Sequence, residues 1–259
     1  MTWTTRPRSE IGRLAAIDVG AGPLVVLLHG VGLRAEAWSG QIDALASAEY
    51  RVVCPDMAGH GETAFSAPDG LGSYAAPVAA LLREPAVLVG HSMGALIAMH
   101  IAASGNPNVK GIAALNAIFQ RPAPARQAIL SRARALDDGR PNDPSVTLQR
   151  WFADHKSDER AACARWLQEG DPRAYKAAYT VFAESDGPSA AQLARIMCPA
   201  LFLTGADEPN STPRMSRDMA ALVRQGRAEI IPNAAHMMPM THAAKVNAIL
   251  LRFLQECLP

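Results

Sequence analysis

The chain has 259 residues, 49% of them hydrophobic, with 25 Lys+Arg against 24 Asp+Glu. That near-neutral balance gives no electrostatic case for nucleic acid or an anionic membrane surface as partner. No apolar run is long enough to span a bilayer, and Met1–Glu10 is polar and lacks a secretory apolar region, so a cytoplasmic protein is expected.

The length suits one large α/β domain with an insertion, or two small domains. In chain order, Leu14 to Val19 reads as an early strand that ends at Gly20-Ala21-Gly22-Pro23. Leu24 to Leu28 is a continuous apolar run, the pattern of a parallel strand covered on both faces. His29-Gly30-Val31-Gly32 follows as a loop, then a helix from Trp38 to Ser47 with Trp38, Ile42 and Leu45 at helical spacing. Arg51 to Cys54 is the next strand, ending at Pro55-Asp56-Met57-Ala58-Gly59-His60-Gly61, and Leu71 to Arg83 is helical. Ala86 to Val89 is a strand, Gly90-His91-Ser92-Met93-Gly94 a turn, and Ala95 to Ala102 a buried helix. Lys110 to Ala114 opens one more strand. This alternation predicts a mostly parallel central sheet flanked by helices.

The pattern then changes. Phe119 to Asp186 has helical stretches punctuated by Pro122, Pro124, Pro141, Pro144, Gly170, Pro172, Gly187 and Pro188, and no strong strand. It reads as a helical cap over 119–187, inserted into a core made of 1–118 and 188–259. Strands resume at Ala200 to Thr204 and Ala228 to Ile231, with helices near Arg214 to Arg224 and from Lys245 to Cys257. The four cysteines (Cys54, Cys163, Cys198 and Cys257) are scattered with no Cys-x-x-Cys pair, which argues against a disulfide framework or a zinc site. Cys54 and Cys198 read as inert core thiols.

The chemistry centres on the Gly-x-Ser-x-Gly pentad at 90–94. Between a strand and a helix this pattern becomes a nucleophile elbow, with Ser92 as the nucleophile. A serine hydroxyl needs a base in contact and a group to orient that base. In this chain order the acid and then the base lie downstream. His236 follows the last strand and is the base candidate, whereas His242 falls at the start of the final helix, His155 in the cap and His100 in the helix after the elbow. The acid comes from Gly205-Ala206-Asp207-Glu208-Pro209, where Asp207 and Glu208 are both able to orient an imidazole. An oxyanion hole needs two backbone N–H donors, here those of Val31 and Met93.

These segments, with Asn233-Ala234-Ala235-His236, closely resemble the α/β-hydrolase fold family and come in its order. Within that family the chain looks like the bacterial branch that holds 3-oxoadipate enol-lactonases and carboxylesterases, through Gln149-Arg150-Trp151-Phe152 and Asp171-Pro172-Arg173-Ala174-Tyr175. The pair His91 and Met93 around the serine departs from those lactonases. The resemblance also sets the acid three residues after Gly205, a place this chain fills with Glu208 where relatives usually have aspartate, and it therefore favours Glu208 over Asp207. It implies hydrolysis of a small-molecule ester or lactone through an acyl-enzyme, with no metal and no organic cofactor. Substrate choice falls to the cap, with Trp151 as a substrate-binding candidate. Trp166, Tyr175 and Tyr179 are read chiefly as packing residues, and the basic stretch Arg121, Arg126, Arg132 and Arg134 chiefly as a solvated helix face, with recognition of a substrate carboxylate as its alternative role. Competing readings are a C–C bond hydrolase of ring-cleavage products, a cofactor-free perhydrolase, and a hydrolase-like ligand receptor or scaffold. Serine at position 92 disfavours a dehalogenase, which places aspartate there.

Overall fold

The computed structural model describes residues 3–140 and 143–258. Pro141, one of the residues that punctuate the insertion, and the first two residues of the polar N-terminus lie outside the described residues.

The strands are β1 (Ser9–Ile11), β2 (Leu14–Val19), β3 (Leu24–Leu28), β4 (Arg51–Pro55), β5 (Ala86–His91), β6 (Val109–Leu115), β7 (Ala200–Gly205) and β8 (Gly226–Ile231). They form one sheet in the order β1-β2-β4-β3-β5-β6-β7-β8. The β1–β2 and β2–β4 pairs are antiparallel, and every pair from β4 through β8 is parallel. Strand β1 falls within the polar N-terminus, where the sequence has no apolar alternation to mark a strand. It exists by pairing with β2 at the sheet edge.

The helices of the core are α1 (Ser39–Ser47), α2 (Leu71–Leu81) and α3 (Met93–Ala103). Between β6 and β7 the chain runs through α4 (Ala123–Ala135), α5 (Ser145–Phe152), α6 (Asp158–Glu169), α7 (Pro172–Glu184) and the short α8 (Ala190–Leu193). It closes with α9 (Pro213–Leu222), α10 (Met238–Thr241) and α11 (Ala243–Cys257). No helix among the described residues is long and apolar enough to cross a membrane.

Successive side chains of a strand point to opposite faces, so β3 feeds two cores at once. Leu24, Val26 and Leu28 join the apolar layer beneath α2 and α3, while Val25 and Leu27 join Trp38, Ile42, Val246 and Phe253 on the other face. All five β3 residues are buried, which is why the run shows no polar alternation. Every residue of α3 except His100 is buried, so this helix is apolar all round. A third apolar cluster joins the inserted helices to the core, with Leu148, Phe152 and Trp166 against Trp3, Leu33 and Met240. Cys54 is fully buried and Cys198 only half-buried. The carboxyl ends of β3, β5, β6, β7 and β8 all lie on one edge of the sheet, the usual place for sites in parallel sheets.

Candidate active site

Strand β5 ends at His91 and α3 begins at Met93, which leaves Ser92 alone to make the turn. Its backbone sits at φ 56° and ψ −115°. A non-glycine residue held there costs about 1–3 kcal/mol and persists only where its surroundings over-determine it. Here the Ser92 N–H donates to the Leu115 carbonyl at 2.9 Å, and the Ser92 carbonyl accepts from Ala95 N–H at 3.1 Å. The flanking glycines are demanded by close approach. A Cβ at Gly90 would overlap the Gly94 carbonyl, and one at Gly94 would overlap the Leu28 carbonyl. Met93 opens α3, so its N–H has no acceptor within the helix and is free for a ligand at the elbow.

The loop after β3 lies against this turn. A Cβ on Gly30 would come within 3.2 Å of the Ser92 Cβ. Two buried histidines pin the loop. His29 donates from Nδ1 to the Gly30 carbonyl at 2.8 Å and accepts the Met57 N–H at Nε2, 3.0 Å away. His60 donates from Nδ1 to the Ala58 carbonyl and accepts the Gly32 N–H at Nε2, 3.1 Å away. Each ring uses one nitrogen as donor and the other as acceptor, so both must be neutral. Burial, then the neighbouring His60 ring, lowers His29 to about 4, and burial also lowers His60. Val31 thus sits in a loop fixed from both sides. Both histidines lie in the motif segments of the sequence, but their bracing role was not legible there.

His236 lies in the loop after β8. Its Nδ1–H donates to Glu208 Oε2 at 2.7 Å. Glu208 is 3% exposed, and its other oxygen accepts the Asn210 N–H at 2.8 Å and the Ser211 N–H at 3.2 Å. Burial by itself raises this carboxyl pKa, but His236 and the two backbone donors override it and hold the group below its ordinary value. Asp207 is exposed, and its backbone N–H bonds the Ala234 carbonyl at 2.9 Å, tying the two loops together. Adjacent carboxylates therefore point apart, one inward to the imidazole and one to solvent.

Two further side chains hold His236 from behind. His91 Nε2–H donates to the His236 carbonyl at 2.8 Å, and Asn116 Nδ2–H donates to the same oxygen at 2.7 Å. Asn116 also accepts the Gly205 N–H at 3.2 Å, so it links the ends of β6 and β7 to the histidine loop. It takes a positive φ of 48°, a conformation asparagine tolerates better than most residues. Burial, then the nearby His236 ring, drives His91 down to about 3. The sequence shows Asn116 only as a polar residue that ends an apolar strand, and that was the one available signal for it.

Ser92, His236 and Val31 line a cavity of about 540 Å³, roofed by residues of α4, α5 and α7. Trp151 stacks on the His236 ring, with centroids 5.6 Å apart and planes at 21°. Tyr175 and Tyr179 also line the cavity, whereas Trp166 packs edge-on against Trp3 at 6.2 Å. The basic stretch divides. Arg126 and Arg134 are exposed, as expected of a solvated face. Arg121 is instead buried, donating to the Ser185 carbonyl at 2.7 Å and the Phe182 carbonyl at 3.3 Å. Arg121 and Arg132 both line the cavity, joined by Arg150, whose part in the site the sequence did not signal. Among the described residues, no group of three or more His, Cys, Asp or Glu is disposed to hold a metal ion.

Residues 25–249 match the Alpha/beta hydrolase family. The chain belongs to this family. As an alpha/beta hydrolase it is an enzyme, and its relatives bear that out. A similar protein is the (E)-2-((N-methylformamido)methylene)succinate hydrolase of Acinetobacter baylyi, 38% identical over 245 residues that cover 92% of each chain. An esterase from Thermogutta terrifontis, solved with malate bound, superposes with a TM-score of 0.84 at 26% identity, over 95% of this chain and 94% of that one. The enol-lactonase of Burkholderia xenovorans superposes with a TM-score of 0.82 over 96% of this chain and 100% of that one, and at 22% identity the likeness is one of fold.

Proposed function

We propose that this alpha/beta hydrolase cleaves an ester or lactone of a small molecule through an acyl-enzyme on Ser92. The observation that carries this reading is the 2.7 Å bond from buried Glu208 to His236, which lines the same cavity as the elbow serine. His236 Nε2 takes the Ser92 proton as Oγ attacks the carbonyl. Glu208 keeps the imidazole in the tautomer whose Nε2 is the acceptor, and stabilises the cation once the proton has moved. The amides of Val31 and Met93 receive the oxyanion. His236 then protonates the leaving oxygen, and a water activated by His236 releases the acid. No step uses a metal or organic cofactor. Asp207 has no part in this scheme.

In this proposal residues 119–187 act as the cap and set the substrate, with Trp151 at the reacting end of the pocket. A second reading concerns only the bond cleaved. The Acinetobacter relative is named for a formamido-methylene compound, which favours an activated amide processed by the same residues.

Treatment with a fluorophosphonate, followed by mass spectrometry of the intact protein and its peptides, tests the scheme. One adduct on Ser92, absent from Ser92→Ala, is expected. No adduct, or an equal adduct in Ser92→Ala, overturns it.

A further inference from the structure

Away from Ser92, the cavity has a cationic end made where α4, α5 and α7 meet. Arg132 comes from α4, Arg150 from α5 and Tyr179 from α7, and all three line the cavity. Arg132 Nη1 donates to the Tyr179 hydroxyl at 3.2 Å, which sets the direction of that guanidinium. Tyr179 itself is only 5% exposed. Neither Arg132 nor Arg150 has an acidic side chain within ion-pair distance among the described residues, although other arginines of the chain, such as Arg8, Arg51 and Arg173, do. The single carboxylate along the cavity wall is Asp218, which faces Arg214 one helical turn away on α9.

The Arg150 Nε–H is buried and has no hydrogen-bond partner. A buried polar group left in this state costs about 1–3 kcal/mol, more when charged. Burial pulls the Arg150 pKa below its ordinary value, and the charge of Arg132 pulls it further the same way. At this end of the cavity the two guanidiniums of Arg132 and Arg150 therefore lie near each other, repel, and have no carboxylate within ion-pair distance among the described residues. Arg121 also lines the cavity, but its guanidinium is satisfied: it donates to two backbone carbonyls and lies near Asp186 at 3.7 Å. The contrast marks Arg132 and Arg150 as groups set aside for something that enters the cavity.

We propose that Arg132 and Arg150, with the Tyr179 hydroxyl, form a carboxylate-binding subsite, so that the substrate bears a carboxylate remote from its scissile carbonyl. The planar fork of a guanidinium matches a carboxylate in two parallel hydrogen bonds. Arg150 immediately precedes Trp151, whose ring lies on His236, so α5 carries the anion anchor and the cover of the reacting imidazole side by side. The substrate is thereby held at two points, the carboxylate at the cap and the carbonyl at Ser92. The catalytic consequence rests on the hydrolase reading above; the anion binding does not.

The test is calorimetric titration of the whole protein with glutarate, run beside inorganic phosphate, in the wild type and in Arg150→Gln, Arg132→Gln, Arg150→Lys and Arg134→Gln. Thermal unfolding accompanies each variant. Wild-type protein binds glutarate more tightly than phosphate. Loss of one charge-assisted partner weakens glutarate about tenfold or more in Arg150→Gln and in Arg132→Gln. Arg150→Lys keeps the charge and regains part of the loss, which separates charge recognition from collapse of the pocket. The exposed Arg134→Gln stays within about twofold of wild type, as expected of a surface charge. Absence of glutarate binding, wild-type affinity for glutarate in either glutamine variant, or tighter binding of phosphate overturns the proposal. A protein that takes no fluorophosphonate adduct yet loses glutarate with Arg150 refutes the hydrolase reading alone, and an adduct on Ser92 without arginine-dependent glutarate binding refutes the subsite alone.

Discussion

Replacing Glu208 by glutamine removes one charge and keeps the shape, so its effect can be worked from the bonds in the structure. The carboxylate accepts three N–H donors, from His236 at 2.7 Å, Asn210 at 2.8 Å and Ser211 at 3.2 Å. An amide offers one oxygen and one NH₂. If the oxygen stays with Asn210 and Ser211, the NH₂ confronts the Nδ1–H of His236. The ring then moves its proton to Nε2, where it can no longer take one from Ser92. If the oxygen turns to His236, the NH₂ confronts two backbone N–H groups in a buried loop. Neither arrangement satisfies all partners. A triad locked in the wrong tautomer loses roughly 10³–10⁴ in kcat/KM, about 4–5 kcal/mol of transition-state stabilisation. Asp207→Asn changes an exposed carboxylate and should stay within about threefold. The assay is hydrolysis of p-nitrophenyl butyrate, with thermal unfolding to confirm that each variant is folded. Comparable losses in the two variants, or a greater loss in Asp207→Asn, would refute the assignment of Glu208.

Three other outcomes are expected. Asn116→Ala removes one of two donors to the His236 carbonyl and the acceptor of Gly205 N–H, so kcat should fall about tenfold or more with KM little changed; steady-state kinetics on the same ester checks it, and an effect confined to KM counts against a positioning role. On acidification, His29 and His91 resist protonation in the fold, at about 4 and about 3, but accept it freely near 6.5 when unfolded. Their stabilising effect is therefore complete above 6.5 and is lost as pH falls toward those lower values, on the order of 3 kcal/mol for His29 alone. Urea unfolding across pH 7.5 to 4.5 reads this, and a flat profile contradicts it. Finally, Arg8 bonds Glu36 at 2.7 Å and Asp56 at 2.8 Å with all three side chains at most 4% exposed, so Arg8→Met should cost about 3–5 kcal/mol in urea unfolding by stranding two carboxylates. A loss below 1 kcal/mol would mean that solvent reaches the group on opening the N-terminus.

Local pattern carried the fold far because its driving force is local in sequence. Leu24–Leu28 and α3 are apolar throughout, and that is the signature of elements covered on every side. The elbow was equally legible, because Gly90 and Gly94 are imposed by close backbone contacts around one residue. Strand β1 was not, since its residues are exposed or half-buried at a sheet edge and leave no hydrophobic trace.

The sequence by itself determined that this chain builds a parallel sheet with an elbow serine, a downstream histidine and an adjacent pair of acids. The candidate site was therefore readable as residue types and their order. Only the tertiary structure decided which acid turns inward, since Asp207 and Glu208 differ in environment and hardly at all in local signal. It also decided that His29 and His60 brace the loop of Val31, that Asn116 and His91 hold His236, and that Arg132 and Arg150 share one cavity while Arg126 and Arg134 face solvent. Each of those facts depends on segments far apart in the chain meeting at one edge of the sheet. Such meetings are fixed by strand order and helix packing, which leave no mark on any single stretch of sequence.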